Sequence, residues 1–223
     1  MMVNTNYAPV KAAARWQAVG SVAAAAFAFG VSFGVVAVAA GFSAAAAVVM
    51  SATAFGGAAQ IGAASVIGAG GGPLGAVTTG SLLNLRYLPM GITAADAYHG
   101  PWWRRALLAQ LLGDETWAIS RRPDSSHDSR LLLTAGAAVY VVWLAGSALG
   151  AIVLSSFGDI SSWGLDMVSP AIFFALLWRQ LTTRRAQLAA GSAVVIALVL
   201  VPISPPGVPV IVASLACLIG LLA

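Results

Sequence analysis

VMSATAFGGAAQIGAASVIGAGGGPLGAVTTGSLLNLRYLPMG, residues 49–91, is the stretch that decides the fold. It holds two long apolar runs joined by a glycine-rich turn, as expected of two segments that cross a bilayer. It also carries Gly56-Gly57, Gln60, Asn84 and Arg86, which are rarely exposed to lipid. The conflict between an apolar run and these residues indicates that they have a function.

The composition favours an integral membrane protein. Hydrophobic residues make up 60% of the chain and charged residues 8%, and the mean hydropathy is +0.90. So little polar material cannot coat a water-soluble surface around a core of this size. The net charge of +4 comes without a clustered basic stripe, so nucleic acid is not an expected partner.

Seven apolar runs predict transmembrane helices in a single domain over residues 17–223, after a cytoplasmic N-terminal segment, 1–16. The first run is too long for the core of a signal peptide. Residues 104–120 form a shorter run with Asp114 and Glu115, which is either an eighth span or an amphipathic helix at the interface. We therefore predict an all-α protein with seven or eight spans and at least one broken helix. The seven runs are 17–40, 44–69, 73–93, 131–156, 165–178, 186–201 and 208–222.

Basic residues do not settle the number of spans. Eight fall inside and two outside whether 104–120 crosses with the N-terminus inside, or does not cross with the N-terminus outside. Lys11 and Arg15 directly precede the first span, which usually dominates orientation, so we favour a cytoplasmic N-terminus and eight spans. Both arrangements describe a multi-pass protein of the cell (cytoplasmic) membrane.

An internal repeat is a further hypothesis. SATAF at 51–55 and SPAIF at 169–173 each open a span, although two short matches also arise by chance. A true repeat would divide the domain into halves at about 17–120 and 130–223. It would pair the break at Gly56-Gly57 with a kink at Pro170, the pattern of a transporter with a midplane site.

The glycine pair in the second run has two interpretations. Glycine weakens a helix and permits unwinding, and the freed N–H groups of the next half-helix suit a carboxylate. The alternative is close helix packing through small residues. Gln60, one turn later, needs a partner in lipid, and a substrate ammonium or carboxylate is one candidate.

The charged residues in the membrane region also allow two interpretations. Arg86 either forms an ion pair with Asp114 or Glu115, or binds a substrate carboxylate through its guanidinium. Asp114 and Glu115 are adjacent carboxylates, so one of them is a candidate for proton exchange at physiological pH. The competing interpretation is that both face water from an interfacial helix.

Signals for enzymes, metals and cofactors are weak. GGGPLG at 70–75 lacks the ending of a phosphate-binding loop and is expected to be a turn. His99 and His127 lack ligand partners at metal spacing, and no Gly-x-Ser-x-Gly elbow is present. We predict neither catalysis nor a metal or cofactor.

Four motifs in order resemble the AzlC family, the large subunits of bacterial branched-chain amino-acid exporters. The resemblance covers about residues 18–222 and implies efflux of valine, leucine, isoleucine and often methionine with a small AzlD-type membrane subunit. Tyr87 stands where many relatives have histidine, which bears on proton coupling at that position. The motifs are FGGAAQ at 55–60, LNLRY at 83–87, GDET at 113–116, and GLD at 164–166 leading into SPAIF at 169–173.

We therefore expect a proton-coupled exporter of small apolar amino acids. The substrate-binding candidates are Gly56, Gly57, Gln60, Asn84 and Arg86, and the proton-coupling candidates are Asp114 and Glu115. A non-transporting structural or regulatory membrane subunit and a small-solute channel are the alternatives.

Overall fold

The computed structural model describes residues 12–153, 171, 174, 177, 178 and 181–221, and no strand occurs among them. This confirms the all-α prediction for the described part of the chain. A short 3-10 helix covers Ala95–Ala97, a π-helical turn covers Leu149–Val153, and a 3-10 helix covers Leu215–Leu221. The α-helices are α1 (Ala12–Ala39), α2 (Ala44–Thr53), α3 (Gly57–Gly68), α4 (Pro73–Asn84), α5 (Tyr87–Thr93), α6 (Trp102–Ala109), α7 (Asp114–Ser120), α8 (Ser129–Ala148), α9 (Arg184–Leu200) and α10 (Val208–Ser214).

Two helical segments in the described residues are long and apolar enough to cross a bilayer. They are Trp16–Ala39, with a mean hydropathy of 2.2, and Ser129–Val153, with a mean hydropathy of 1.9. The count of seven or eight spans stays a prediction, because the other apolar runs form shorter helices or extend outside the described residues. The helix of the first span begins at Ala12, inside the segment assigned to 1–16, since alanine is the strongest helix former.

The second apolar run is a broken helix, as predicted. α2 ends at Thr53 and α3 begins at Gly57. The third run, predicted as one span, is also interrupted, between Asn84 and Tyr87. Pro89 explains this second break, because proline lacks an N–H and its ring clashes with the carbonyl four residues earlier, here that of Leu85.

Residues 104–120 are not one helix. The segment contains most of α6 and all of α7, separated by a turn. Gly113 precedes two acidic residues in the first turn of α7, where the positive end of the helix dipole favours negative charge. The structure thus divides the segment into two short helices that meet at an interruption, and whether the segment crosses the membrane stays a prediction.

The glycine-rich stretch at 70–75 is a turn, as predicted, only as far as Gly72, while 73–75 already belong to α4. Gly70 has φ +83°, and its N–H donates to the Ile67 carbonyl while the N–H of Gly71 donates to that of Val66. This pattern is a Schellman motif, in which a left-handed residue ends a helix. Pro73 then occupies the first turn of α4, where no N–H is needed.

The core lies between α1 and α8, which make the most extensive helix contact in the described part of the chain. Phe33 of α1 is fully buried and stacks on Trp143 of α8, with ring centroids 6.3 Å apart. α3 packs against α1 and α4, while α2 and α7 pack against α8. This arrangement holds the broken α2–α3 helix against the α1–α8 pair.

The connector before α8 is ordered by polar contacts. One carboxylate oxygen of Asp128 accepts from the Leu131 N–H at 3.1 Å, capping α8, and the other binds Arg122 at 3.1 Å. The Leu131 hydrogen bond, with a smaller contribution from Arg122, holds the pKa of the Asp128 carboxyl below its usual value. His127 is buried, with Nδ1 3.0 Å from the Ser120 hydroxyl.

The repeat hypothesis is not tested. Pro170 and most of the proposed matching segment, 169–173, lie outside the described residues. The proposed kink at Pro170 therefore stays a prediction.

Candidate functional site

The break between α2 and α3 sits against two other elements. Gly56 has extended backbone, with φ 178° and ψ 91°. A Cβ at Gly56 would lie 2.7 Å from the Asn84 side-chain oxygen, and one at Gly57 would lie 2.7 Å from the Trp143 ring. Both glycines are therefore needed for close approach, so the packing and the unwinding interpretations describe the same place.

The carbonyl side of this break is occupied by side chains. Ala52 O accepts a hydrogen bond from the Tyr140 hydroxyl at 2.8 Å, and Thr53 O accepts one from Gln110 Nε2 at 2.8 Å. These bonds satisfy backbone groups that the end of α2 would otherwise leave unpaired.

The amide side of the break is open. Among the described residues no acceptor bonds the N–H groups of Gly57, Ala58 or Ala59, whereas the next N–H, of Gln60, donates to Gly56 O at 2.9 Å. Unpaired N–H groups at the start of a 12-residue helix carry partial positive charge. They suit an anionic group.

The break between α4 and α5 supplies a hydrogen-bond acceptor rather than donors. The side-chain oxygen of Asn84, beside Gly56, is buried and has no hydrogen-bond partner in the described structure. It is an acceptor that a donor group of a ligand would satisfy.

Arg86 is engaged by the protein rather than free. Its guanidinium lies 3.0 Å from Asp114 Oδ2 and 5.1 Å from the centroid of the Tyr87 ring. The side chains of Arg86 and Asp114 are 41% and 33% exposed, so the pair lies at an accessible edge. Asp114 Oδ1 has no partner in the described structure.

Three helix interruptions meet at one cavity of about 310 Å³. The α2–α3 break, the α4–α5 break and the α6–α7 turn each contribute to its lining. The cavity is lined by Thr53, Ala54, Phe55, Asn84, Tyr87, Ala109, Gln110 and Leu112. Apolar and polar groups therefore line the same space, as they do in sites for small amphiphilic ligands.

Gln60 lies behind the break in a buried hydrogen-bond chain and does not line the cavity. Its side-chain nitrogen donates to Ser51 at 3.3 Å, Ser51 donates to Ser147 at 2.8 Å, and Ser147 donates to the Trp143 carbonyl at 2.9 Å. Gln60 is fully buried, and its Oε1 has no partner among the described residues. This series of hydrogen bonds connects α2 and α3 to α8.

The predicted site residues thus form two contacts and one deeper layer. Gly56 lies against Asn84, Arg86 binds Asp114, and Gln60 is fully buried. Of the predicted substrate-binding and proton-coupling residues, Asn84 alone lines the cavity. Glu115 is exposed beside Asp114. No group of three possible metal-binding residues occurs in the part of the chain that was searched.

Sequence reasoning missed residues that shape this region. Tyr140, Trp143 and Ser147 are spaced as one face of α8 and all contact the α2–α3 region. Gln110 caps α2, and Ser51 joins Gln60 to α8. The spacing of the α8 residues was a usable signal, whereas nothing in the sequence distinguishes Gln110.

The family model described as AzlC protein matches residues 21–157, which include all three interruptions. The chain belongs to the AzlC family. No match was found among curated proteins or among solved structures. AzlC membership supports a membrane protein with a role in transport of small molecules. The three helix interruptions that line the cavity all lie within the residues that the AzlC model matches.

Proposed function

We propose that this protein exports branched-chain and related apolar amino acids, such as valine, leucine, isoleucine and methionine, across the cytoplasmic membrane. Export is driven by a proton gradient and requires a small AzlD-type membrane subunit. Membership of the AzlC family supports the transport role. The substrate class is the one that the AzlC resemblance implies, and the polarity and size of the cavity are compatible with it.

The observation that carries the proposal is that free donors at the α2–α3 break lie beside a free acceptor at the α4–α5 break. The amide groups of Gly57, Ala58 and Ala59 are open, and the Asn84 oxygen beside Gly56 lacks a partner among the described residues. An α-amino acid carries a carboxylate and an ammonium on one carbon. The amides bind the carboxylate and Asn84 accepts from the ammonium.

The cavity also supports a small apolar side chain. Its volume of about 310 Å³ lies at the lower end of the range of about 300–1,000 Å³ for ligand pockets. Ala54, Phe55, Ala109 and Leu112 supply apolar surface. A charged side chain would lose its hydration there without gaining a partner.

Proton coupling is assigned to Asp114, with Glu115 as the neighbouring candidate. A proton on Asp114 weakens its hold on Arg86, because a neutral carboxyl attracts the guanidinium less than a carboxylate does. Arg86 is then free to approach the substrate carboxylate. Gln60 supports the break from beneath, through Ser51.

The test is efflux from cells loaded with a dipeptide that releases valine or leucine. The host lacks this protein and other branched-chain exporters, and receives the protein with or without its small partner. We expect efflux only with both subunits. Asn84→Leu, which removes the free acceptor, should reduce efflux at least about tenfold, since unpaired ligand polar groups cost about 1–3 kcal/mol each.

Leu74→Ala is the matched control. Leu74 is 81% exposed on the same helix as Asn84, ten residues away. Its replacement should leave efflux near the wild-type rate. Efflux that does not depend on the protein, or an Asn84→Leu variant as active as Leu74→Ala, would contradict the proposal.

A further inference from the structure

The two capped carbonyls at the α2–α3 break are the ones that a continuous helix would use there. In an α-helix each N–H donates to the carbonyl four residues earlier. The N–H of Gly56 would therefore donate to Ala52 O, and the N–H of Gly57 to Thr53 O. In the structure Tyr140 and Gln110 donate to these same two oxygens instead.

The replaced donors are left without acceptors. Neither Gly56 N–H nor Gly57 N–H bonds any acceptor in the described part of the chain. The two side-chain donors thus take the place of the two backbone donors, and this exchange leaves the backbone N–H groups unbonded. The carbonyl groups of Ala52 and Thr53 are bonded, while the N–H groups of Gly56 and Gly57 are not.

We propose that Tyr140 and Gln110 are positioning residues that hold the α2–α3 break open. They compete with the backbone N–H groups of Gly56 and Gly57 for the carbonyls of Ala52 and Thr53. By winning that competition they keep the amide end of α3 free for a carboxylate. They also make the break favour binding of an anion over a cation, because the carbonyl oxygens that would attract a cation already accept hydrogen bonds.

The two caps come from different parts of the fold. Tyr140 is on α8, where its ring also packs edge-on against Phe55, with centroids 5.3 Å apart. Gln110 lies in the α6–α7 turn, four residues before Asp114. The break is therefore fastened both to the rigid core helix and to the segment that carries the candidate proton site.

The direct test is amide hydrogen exchange of the full-length protein in lipid nanodiscs, measured by mass spectrometry on peptides covering 54–60. The variants are Tyr140→Phe, Gln110→Met and their combination. We expect exchange at Gly56 and Gly57 to slow at least about tenfold in the double variant, because helix-bonded amides are protected by local structure. Each single variant should slow mainly one amide.

Matched controls use the same chemical changes elsewhere. Tyr98→Phe removes a buried hydroxyl that has no partner among the described residues, and Gln187→Met removes the hydrogen bond from a side chain of α9 to Leu181 O. Both should leave exchange at 54–60 unchanged. Unchanged or faster exchange in the double variant would overturn the proposal. The Tyr140→Phe change removes only one oxygen, so it keeps the test informative if the double variant is unstable.

A second measurement links the caps to the proposed function, on which this part rests. Inhibition of efflux by leucine is compared with inhibition by leucinamide, which lacks the carboxylate. If the caps position a carboxylate site, the double variant should weaken inhibition by leucine at least about fivefold more than inhibition by leucinamide. The reason is that charge-assisted hydrogen bonds are stronger than neutral ones. Equal weakening would contradict positioning of a carboxylate site. If leucine does not bind the wild-type protein, the proposed function fails, while the exchange result still decides the role of the caps.

Discussion

Asp114 uses one carboxylate oxygen to bind Arg86 at 3.0 Å and leaves the other without a partner among the described residues. The pair joins the α4–α5 break to the start of α7. A carboxylate in this position can exchange a proton and change its grip on the guanidinium. This geometry is what supports the proposal that Asp114 couples a proton to transport.

Asp114→Asn should uncouple efflux from the proton gradient. The amide cannot take up a proton, and it holds Arg86 by a weaker, neutral acceptor. Gradient-driven efflux of leucine should fall at least about tenfold, since proton uptake can then no longer shift Arg86 from Asp114 to the substrate carboxylate. The measurement is efflux from proteoliposomes with and without an imposed pH difference.

Asp124→Asn is the control for this substitution. Asp124 lies in the exposed connector, where its carboxylate accepts from the N–H and hydroxyl of Ser126. The response to the pH difference should persist there. An Asp114→Asn protein that still responds as the wild type does would remove Asp114 from the coupling role.

The sequence predicted some structural features of the candidate site and missed others. The pair Gly56-Gly57 predicted a helix break, because glycine destabilises the interior of a helix. The candidate pair of Arg86 and Asp114 is present as an ion pair. Gln110 could not be foreseen, because its role depends on a carbonyl 57 positions away, and no local pattern encodes that distance.

At the scale of elements, α1 and α8 form the closely packed pair that the broken α2–α3 helix contacts. Their close approach depends on glycine. A Cβ at Gly34 would collide with Ser147 O and would lie 2.6 Å from the Ala151 N. These are backbone atoms, which cannot move aside as a flexible side chain does.

Gly34→Ala should therefore destabilise the protein, by about 1–3 kcal/mol as overpacked cores usually do. Gly20→Ala on the same helix is the control, because a Cβ there meets nothing within 4 Å and alanine improves helix propensity by up to about 1 kcal/mol. Thermal unfolding in detergent should show a lower midpoint for Gly34→Ala and an unchanged or higher one for Gly20→Ala. Equal midpoints would contradict the observed packing.

The interruptions show which element boundaries sequence patterns can give. Hydropathy marked each apolar run but treated 73–93 as one span. Pro89 was the overlooked signal, since it acts on Leu85 one turn earlier. Gly113 followed by Asp114 and Glu115 similarly matches a helix start. Both signals are local, so they were readable without the structure.

At the scale of the whole molecule, the orientation of each segment in the membrane depends on whether 104–120 crosses it. α1 is apolar enough to span, and Lys11 and Arg15 precede the predicted span. α6 and α7 contain only eight and seven residues, about 12 and 10 Å at 1.5 Å per residue, so neither crosses alone. Only together, through the turn at Gln110, can they carry the chain across.

We predict that they do, with the N-terminus in the cytoplasm. In a Cys217→Ser background, single cysteines are placed by Asn4→Cys, His99→Cys and Ser125→Cys. A membrane-impermeant thiol reagent applied to intact cells should label position 99 but not positions 4 and 125. The physical reason is that Lys11 and Arg15 resist transfer across the membrane, while Arg121, Arg122 and Arg130 hold the later connector inside.

Labelling after cell lysis is the control, because all three cysteines should then react. Labelling at position 4 but not 99 in intact cells would instead place the N-terminus outside and leave 104–120 on the cytoplasmic side. The cavity would then open near the inner surface, since Asn84 and Gln110 line it together. With the predicted topology, the interruptions lie part-way through crossing segments, where a site can be reached from either side in turn.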